Sequence, residues 1–177
     1  MAGCGSYSKI EGFGFIPVTC FSQALTTFIG QNLGAKEYDR TKKGALFGTI
    51  CGIGIAEVIG IAVFFFSPYL IAAFGGDQKA IEYGIAEAHT IALFYCLLAF
   101  SHCMAAIQRG AGRSIVPMFV MMIVWCGVRV TYISIVIRII PVINVIYWAY
   151  PLTWFISSVI FLILFLKTDW IHGLEKQ

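Results

Sequence analysis

The sequence predicts an all-α, polytopic membrane protein, a helix bundle with about five transmembrane helices forming a single membrane domain over residues 1–177. Three observations carry that reading. Hydrophobic residues make up 59% of the chain and charged residues 12%, about half the charged share of a soluble domain. Mean hydropathy is +0.86. The apolar residues also fall into long runs separated by short polar turns, each near the ~20 residues that carry a helix across a ~30 Å hydrocarbon core. A water-soluble domain of this size would need far more polar surface, whereas the bilayer core is as apolar as the side chains facing it.

The spans are predicted at residues 13–33, 44–67, 81–107, 115–137 and 145–166. Residues 1–12 read as an external loop from the middle of a larger protein, since they lack the basic segment and short apolar core of a signal peptide. The first span carries Pro17, Gln23, Gln31 and Asn32, a polar tint that suits a helix inside a bundle or beside a cavity. The charged stretch AKEYDRTKK, Ala35 to Lys43, reads as a short solvated loop or interfacial helix. The second span holds small residues at every fourth position, Gly44, Gly48, Gly52, Ala56 and Gly60, a ladder that lets a neighbouring backbone come close.

Gly75, Gly76 and Asp77 form a turn cluster before the third span. That span begins with Glu82, Glu87 and His89, which read as interfacial. The basic turn QRGAGRS precedes the fourth span, which has Pro117 in its first turn and Arg129 deep inside. A short turn with Pro141 leads to the fifth span, where Tyr147, Trp148, Tyr150 and Trp154 read as an interfacial aromatic belt.

Several function classes fall away. A net charge of +3 without clustered basic residues does not suit a nucleic-acid groove binder. The six cysteines, Cys4, Cys20, Cys51, Cys96, Cys103 and Cys126, form no CxxC pair, and a disulfide or metal framework is not indicated. There is no GxGxxG after a strand, and no catalytic Ser–His dyad, HExxH or paired Asp within the spans, so neither a nucleotide loop nor an intramembrane enzyme is expected. Orientation follows from the basic residues. Lys36, Arg40, Lys42, Lys43, Arg109, Arg113, Lys167 and Lys176 share one side; Lys9, Lys79 and Arg138 share the other. Eight against three places the first side, and the carboxyl terminus, in the cytoplasm of a cell-membrane protein.

Two motifs carry a family resemblance. FSQALTTFIGQNLGAKEYDRTKKG, Phe21 to Gly44, and QRGAGRSIVP, Gln108 to Pro117, resemble the multidrug and toxic compound extrusion family of secondary transporters. The matching motif residues are Gln31, Asn32, Gly34 and Ala35, then Arg109, Gly110 and Gly112. The resemblance implies five of the six helices of a second lobe, lacking the first helix of that lobe, with the N-terminal lobe as a missing partner. It implies exchange of H+ or Na+ for small organic, often cationic, substrates, with no other cofactor. On that reading Met1 is a truncation artefact and the chain alone does not transport. A cation-binding carboxylate that some members carry in the tenth helix has no counterpart, because that neighbourhood reads Leu97, Leu98 and Ala99. A lipid-linked oligosaccharide flippase of the same superfamily, and a non-transport membrane subunit, are the alternatives; the flippase would want more buried cations than Arg129.

Four residues are candidates for the transport pathway. Glu57 sits mid-span, where a charge costs about 2.5 kcal/mol or more; it is either a proton-linked carboxylate or the partner of Arg129. Arg129, always charged, reads as structurally paired. His102 is a hydrogen-bonded packing residue or a proton relay. Gln23 lines a cavity or bonds across helices. Gln31 and Asn32 are expected to cap the first span, with Gly34 at its terminus.

Overall fold

A computed structural model describes residues 2–73, 78–139, 142–168 and 170. The described residues form seven α-helical segments: α1 (Ala2–Gly34), α2 (Tyr38–Ala73), α3 (Gln78–Ile91), α4 (Tyr95–Gly110), α5 (Ile115–Met121), α6 (Arg129–Ile139) and α7 (Asn144–Lys167). A 3-10 turn, Ala92–Phe94, joins α3 to α4, and a π-helical segment, Met122–Val128, joins α5 to α6. Five continuous apolar spans result: Tyr7–Gly34, Tyr38–Ala73, Gln78–Gly110, Ile115–Ile139 and Val145–Lys167. Five helices long and apolar enough to cross a membrane are thus present, as expected, and each is longer than the run read from the sequence.

Residues 2–12 are helical, not a loop. Gly3, Gly5, Gly12 and Gly14 weaken that stretch locally, but Tyr7 and Ile10 are buried against the bundle, and this packing outweighs propensity. Of the charged stretch, read as a loop or an interfacial helix, the residues from Tyr38 onward are helical and open α2. At its other end α2 runs through Pro68 to Ala73. A proline inside a helix frees the carbonyl four residues earlier. Here that is the Phe64 carbonyl, and it accepts hydrogen bonds from Ser67 Oγ at 3.2 Å and, with the imidazole Nε2 protonated, from His89 at 3.1 Å. The predicted turn at Gly75 to Asp77, Pro141, and Lys176 of the tail lie outside the described residues.

The small-residue ladder of α2 is its packing face. A Cβ at Gly48 would meet Leu25 at 2.7 Å, and one at Gly52 would meet the Cys103 sulfur at 2.6 Å. One at Gly44 would overlap the Phe28 ring, and one at Gly60 the backbone oxygen of Ala92. Thus α2 lies against α1 along its first half and against the 3-10 turn and α4 further on. Substituents larger than hydrogen would hold these helices apart.

The two motif turns are built alike. After α4, Gly112 N–H bonds to Arg109 O at 3.0 Å and Arg113 N–H to Gln108 O at 2.9 Å, with Gly112 at φ 79°. After α1, Lys36 N–H bonds to Leu33 O at 3.0 Å and Glu37 N–H to Asn32 O at 2.9 Å, with Lys36 at φ 59°. Both are Schellman closures, in which one left-handed residue lets two backbone N–H groups satisfy the last carbonyls of a helix. Gly34 is the last residue of α1, as expected, but the left-handed residue is Lys36. Asn32 adds a side-chain bond from Nδ2 to Phe28 O at 2.7 Å, whereas Gln31 is exposed. Gly110 has a separate role. A Cβ there would come within 2.7 Å of the Thr26 carbonyl oxygen and the Ile29 Cβ, so it marks the closest approach of α4 to α1.

The aromatic residues expected as a belt on α7 turn largely toward neighbouring helices. Tyr147 and Trp154 are buried; Tyr147 donates from its hydroxyl to Tyr83 O at 3.2 Å, and Trp154 meets the rings of Tyr95 and Tyr150 edge-on. Trp148 is exposed. A hydroxyl or indole can reach a polar partner inside a bundle as well as at its interface, and α7 uses these side chains for helix contacts.

Candidate functional site: a charged aromatic cleft

At the end of the bundle away from the two motif turns, α1, α7 and the fourth span enclose a cleft of about 230 Å³. Tyr7, Glu11 and Phe15 lie four residues apart on α1, which places them on one helix face. Glu11 and Phe15 line the cleft together with Ser8. Tyr7 is fully buried beside it, with its hydroxyl 3.2 Å from that of Tyr95 on α4.

The opposing wall comes from the fourth span. The π-helical segment widens the helix by one residue per turn just before Arg129. Such bulges often re-aim side chains at functional sites. Trp125 and Arg129 both line the cleft. Arg129 donates from Nη2 to Thr153 Oγ1 at 2.7 Å, and its guanidinium carbon lies 4.3 Å from the Tyr150 ring centroid and 5.8 Å from that of Trp125. A planar cation over aromatic faces gains electrostatic attraction when shielded from water. Its Nε is buried with no hydrogen-bond partner among the described residues.

Glu11 and Arg129 bring a carboxylate and a guanidinium into the same cleft. Glu87, expected at the interface, is instead buried, because α3 turns this face toward the packed interior. His102 lies beneath the cleft wall, with its ring edge-on to Phe15 at 5.2 Å and to Trp125 at 5.5 Å. Its Nε2 is buried without a hydrogen-bond partner among the described residues, and its ring packs edge-on between the two aromatics.

Of the four pathway candidates, the structure brings Arg129 and His102 together around Trp125. It separates the other two from them. Glu57 on α2 sits beside the Cys96 thiol, and the acid acting on Arg129 is Glu11. The expected Glu57–Arg129 pair is thus not formed among the described residues, because the two helices present these side chains to different neighbours. Gln23, three turns from Glu11 on α1, is exposed. Sequence reasoning missed Glu11 and Glu87, the first by reading a glycine-rich helix as a loop and the second by assigning it to the interface. The Tyr7–Glu11–Phe15 spacing was the available signal. No group of three or more His, Cys, Asp or Glu capable of holding a metal ion occurs among the described residues.

The arrangement gives a cleft with one carboxylate, one guanidinium and aromatic walls, and a second carboxylate, Glu87, buried on α3. Residues 1–133 match the MatE family. A probable multidrug resistance protein NorM from Thermotoga maritima is 28% identical over 132 residues, covering 71% of this chain and 28% of that protein. The chain therefore spans little more than a quarter of the length of that relative. With the five apolar spans, these matches make it a multi-pass membrane protein, and one that belongs to the MatE family.

Proposed function

We propose that this chain forms part of a cation-coupled efflux antiporter for small organic compounds, with H+ or Na+ as the coupling ion, and that the charged aromatic cleft is its coupling site. The observation that carries this reading is the charge balance around Glu11. Glu11 and Arg129 line one cleft inside the spans, and a second carboxylate, Glu87, is buried on α3, which packs against α1. Like charges in a low-dielectric interior repel strongly, and ionisable residues within a membrane lean toward ion pathways. Arg129 compensates one carboxylate, and a proton or a monovalent cation compensates the other. The walls of Phe15, Trp125 and Tyr150 offer flat apolar faces to an organic substrate.

Alternating access requires two lobes rocking around a site, and these five spans furnish one side of it. Helices beyond these 177 residues complete the pathway on this reading, with the eight-cation side in the cytoplasm of the cell membrane. The printed name of the Thermotoga maritima relative, a multidrug resistance protein, supports an efflux role. A flippase for pyrophosphate-linked lipids fits less well, because Glu11 and Glu87 would repel its substrate. In proteoliposomes the purified chain should show no gradient-driven efflux of a fluorescent organic cation, and efflux by these residues alone would refute the need for a second lobe. The site itself is tested by binding. The fluorescent cation should quench tryptophan fluorescence, Trp125→Phe should reduce that quenching, and added H+ or Na+ should reverse it; binding indifferent to both ions would remove the coupling role.

A further inference from the structure

A second cavity lies at the opposite end of the bundle, where the start of α2, the end of α4 and the end of α7 leave a groove of about 500 Å³. We propose that it binds an anionic phospholipid, with an acyl chain lying in the groove and the headgroup phosphate at Lys42.

The lining is apolar over its depth. Ala45, Phe100, Leu162 and Phe165 form its body, Lys42 stands at one end, and Trp170 lines it past the end of α7. The groove opens sideways onto Leu46, Leu162 and Leu166, all exposed on the outer surface of the spans. The medium outside that opening is hydrocarbon, so a lipid chain is the nearest apolar occupant. From Lys42 to Thr49, which also lines the groove, α2 rises about 10 Å into the span, at ~1.5 Å per residue. A lipid anchored at Lys42 would therefore direct its chain inward along the groove.

Trp170 supplies an independent indication of depth. The chain leaves α7 in extended conformation at Thr168, and Trp170 then stacks on Phe165 with ring centroids 5.2 Å apart. It is buried. Tryptophan at a helix end marks the headgroup level, the level at which Lys42 stands. The charge there has the sign to match a phosphate. Lys36, Arg40, Lys42 and Lys43 outnumber Glu37 and Asp39 in the stretch entering α2. Basic pockets between spanning helices are recognised sites for anionic headgroups.

The test uses the full chain in detergent micelles, titrated with phosphatidylglycerol or phosphatidylcholine brominated on the acyl chain. Bromine quenches only nearby tryptophans, and comparison with Trp170→Phe isolates the part of the quenching that Trp170 reports. Phosphatidylglycerol should quench that part at lower concentration than phosphatidylcholine. Lys42→Gln should weaken the phosphatidylglycerol effect about fivefold, the contribution of one surface lysine. Lys43→Gln, one residue away and outside the groove, should weaken it distinctly less. Equal quenching by the two lipids would overturn the proposal, as would equal weakening by the two lysine variants. Absence of any Trp170-dependent quenching would also overturn it, and if the chain then proved dimeric, a second copy would be the occupant.

Discussion

The third and fourth spans are nearly equal in mean hydropathy, 1.9 and 2.0, yet 61% of the apolar stretch of the third is buried against 6% in the fourth. Their small residues account for the difference. Gln78–Gly110 contains seven alanines and two glycines, whereas Ile115–Ile139 has Gly127 as its one small apolar residue. In lipid, large apolar side chains gain little by moving from hydrocarbon to protein, so close backbone approach and polar contacts decide which helices pack. The third span is wedged against α1 and α2 by such approaches. The fourth leaves Ile123, Val130 and Ile135 exposed and is tied to α7 through Arg129, Thr153, Trp125 and Ser157. One span is a fixed part of the bundle. The other is held by a few polar groups at the proposed coupling site.

The contrast is most sharply tested by two glycines. Gly60→Leu would drive a side chain into the Ala92 backbone oxygen, which cannot withdraw as a flexible side chain could. It should cost about 3 kcal/mol or prevent stable folding, measured by reversible unfolding in micelles. Gly127→Ala meets nothing within 4 Å and should change stability by less than about 1 kcal/mol. Similar losses in both would erase the distinction between the spans.

Next in size is Arg129→Met. It removes the bond to Thr153 and the cation over Tyr150, and should cost about 2 kcal/mol, the range for hydrogen bonds to charged groups. The loss should appear as faster hydrogen exchange over residues 115–139, with the third span unaffected. Arg129→Lys keeps the charge but not the planar fork, and should fall between the two.

Smaller effects are expected at the turns and in the hydroxyl cluster. Lys36→Gly removes the side chain from a left-handed position that costs a non-glycine residue about 1 kcal/mol, and should stabilise by up to that amount. Ser101 Oγ lies 2.9 Å from Ser157 Oγ and 3.0 Å from Ser158 Oγ, linking α4 to α7. Ser101→Ala should cost about 0.6 kcal/mol, the average for hydrogen bonds between membrane helices. A loss several times larger would make this cluster the main fastening of α7 to α4.

The spans and the ladder were legible because hydrophobic run length and four-residue spacing are local properties. Gly44 through Gly60 already stated a packing face, and the two motif turns marked helix ends. The coupling-site candidates were less legible. Glu11 lay in a stretch whose glycines masked a helix that only tertiary packing stabilises. Glu87 and Tyr147 could be placed inside or at an interface with equal local justification, and their helix contacts decided for the interior. The choice of Glu57 as partner for Arg129 assumed that two mid-span charges meet, whereas helix rotation directs Glu57 to Cys96 and Arg129 toward Glu11.

Infrared difference spectroscopy of carboxyl protonation, on the purified chain during a pH titration and on addition of Na+, tests the central claim most directly. The account predicts a carboxyl band that responds to both, disappears in Glu11→Gln and persists in Glu57→Gln. A band unchanged by Glu11→Gln, or one removed by Glu57→Gln instead, would contradict it.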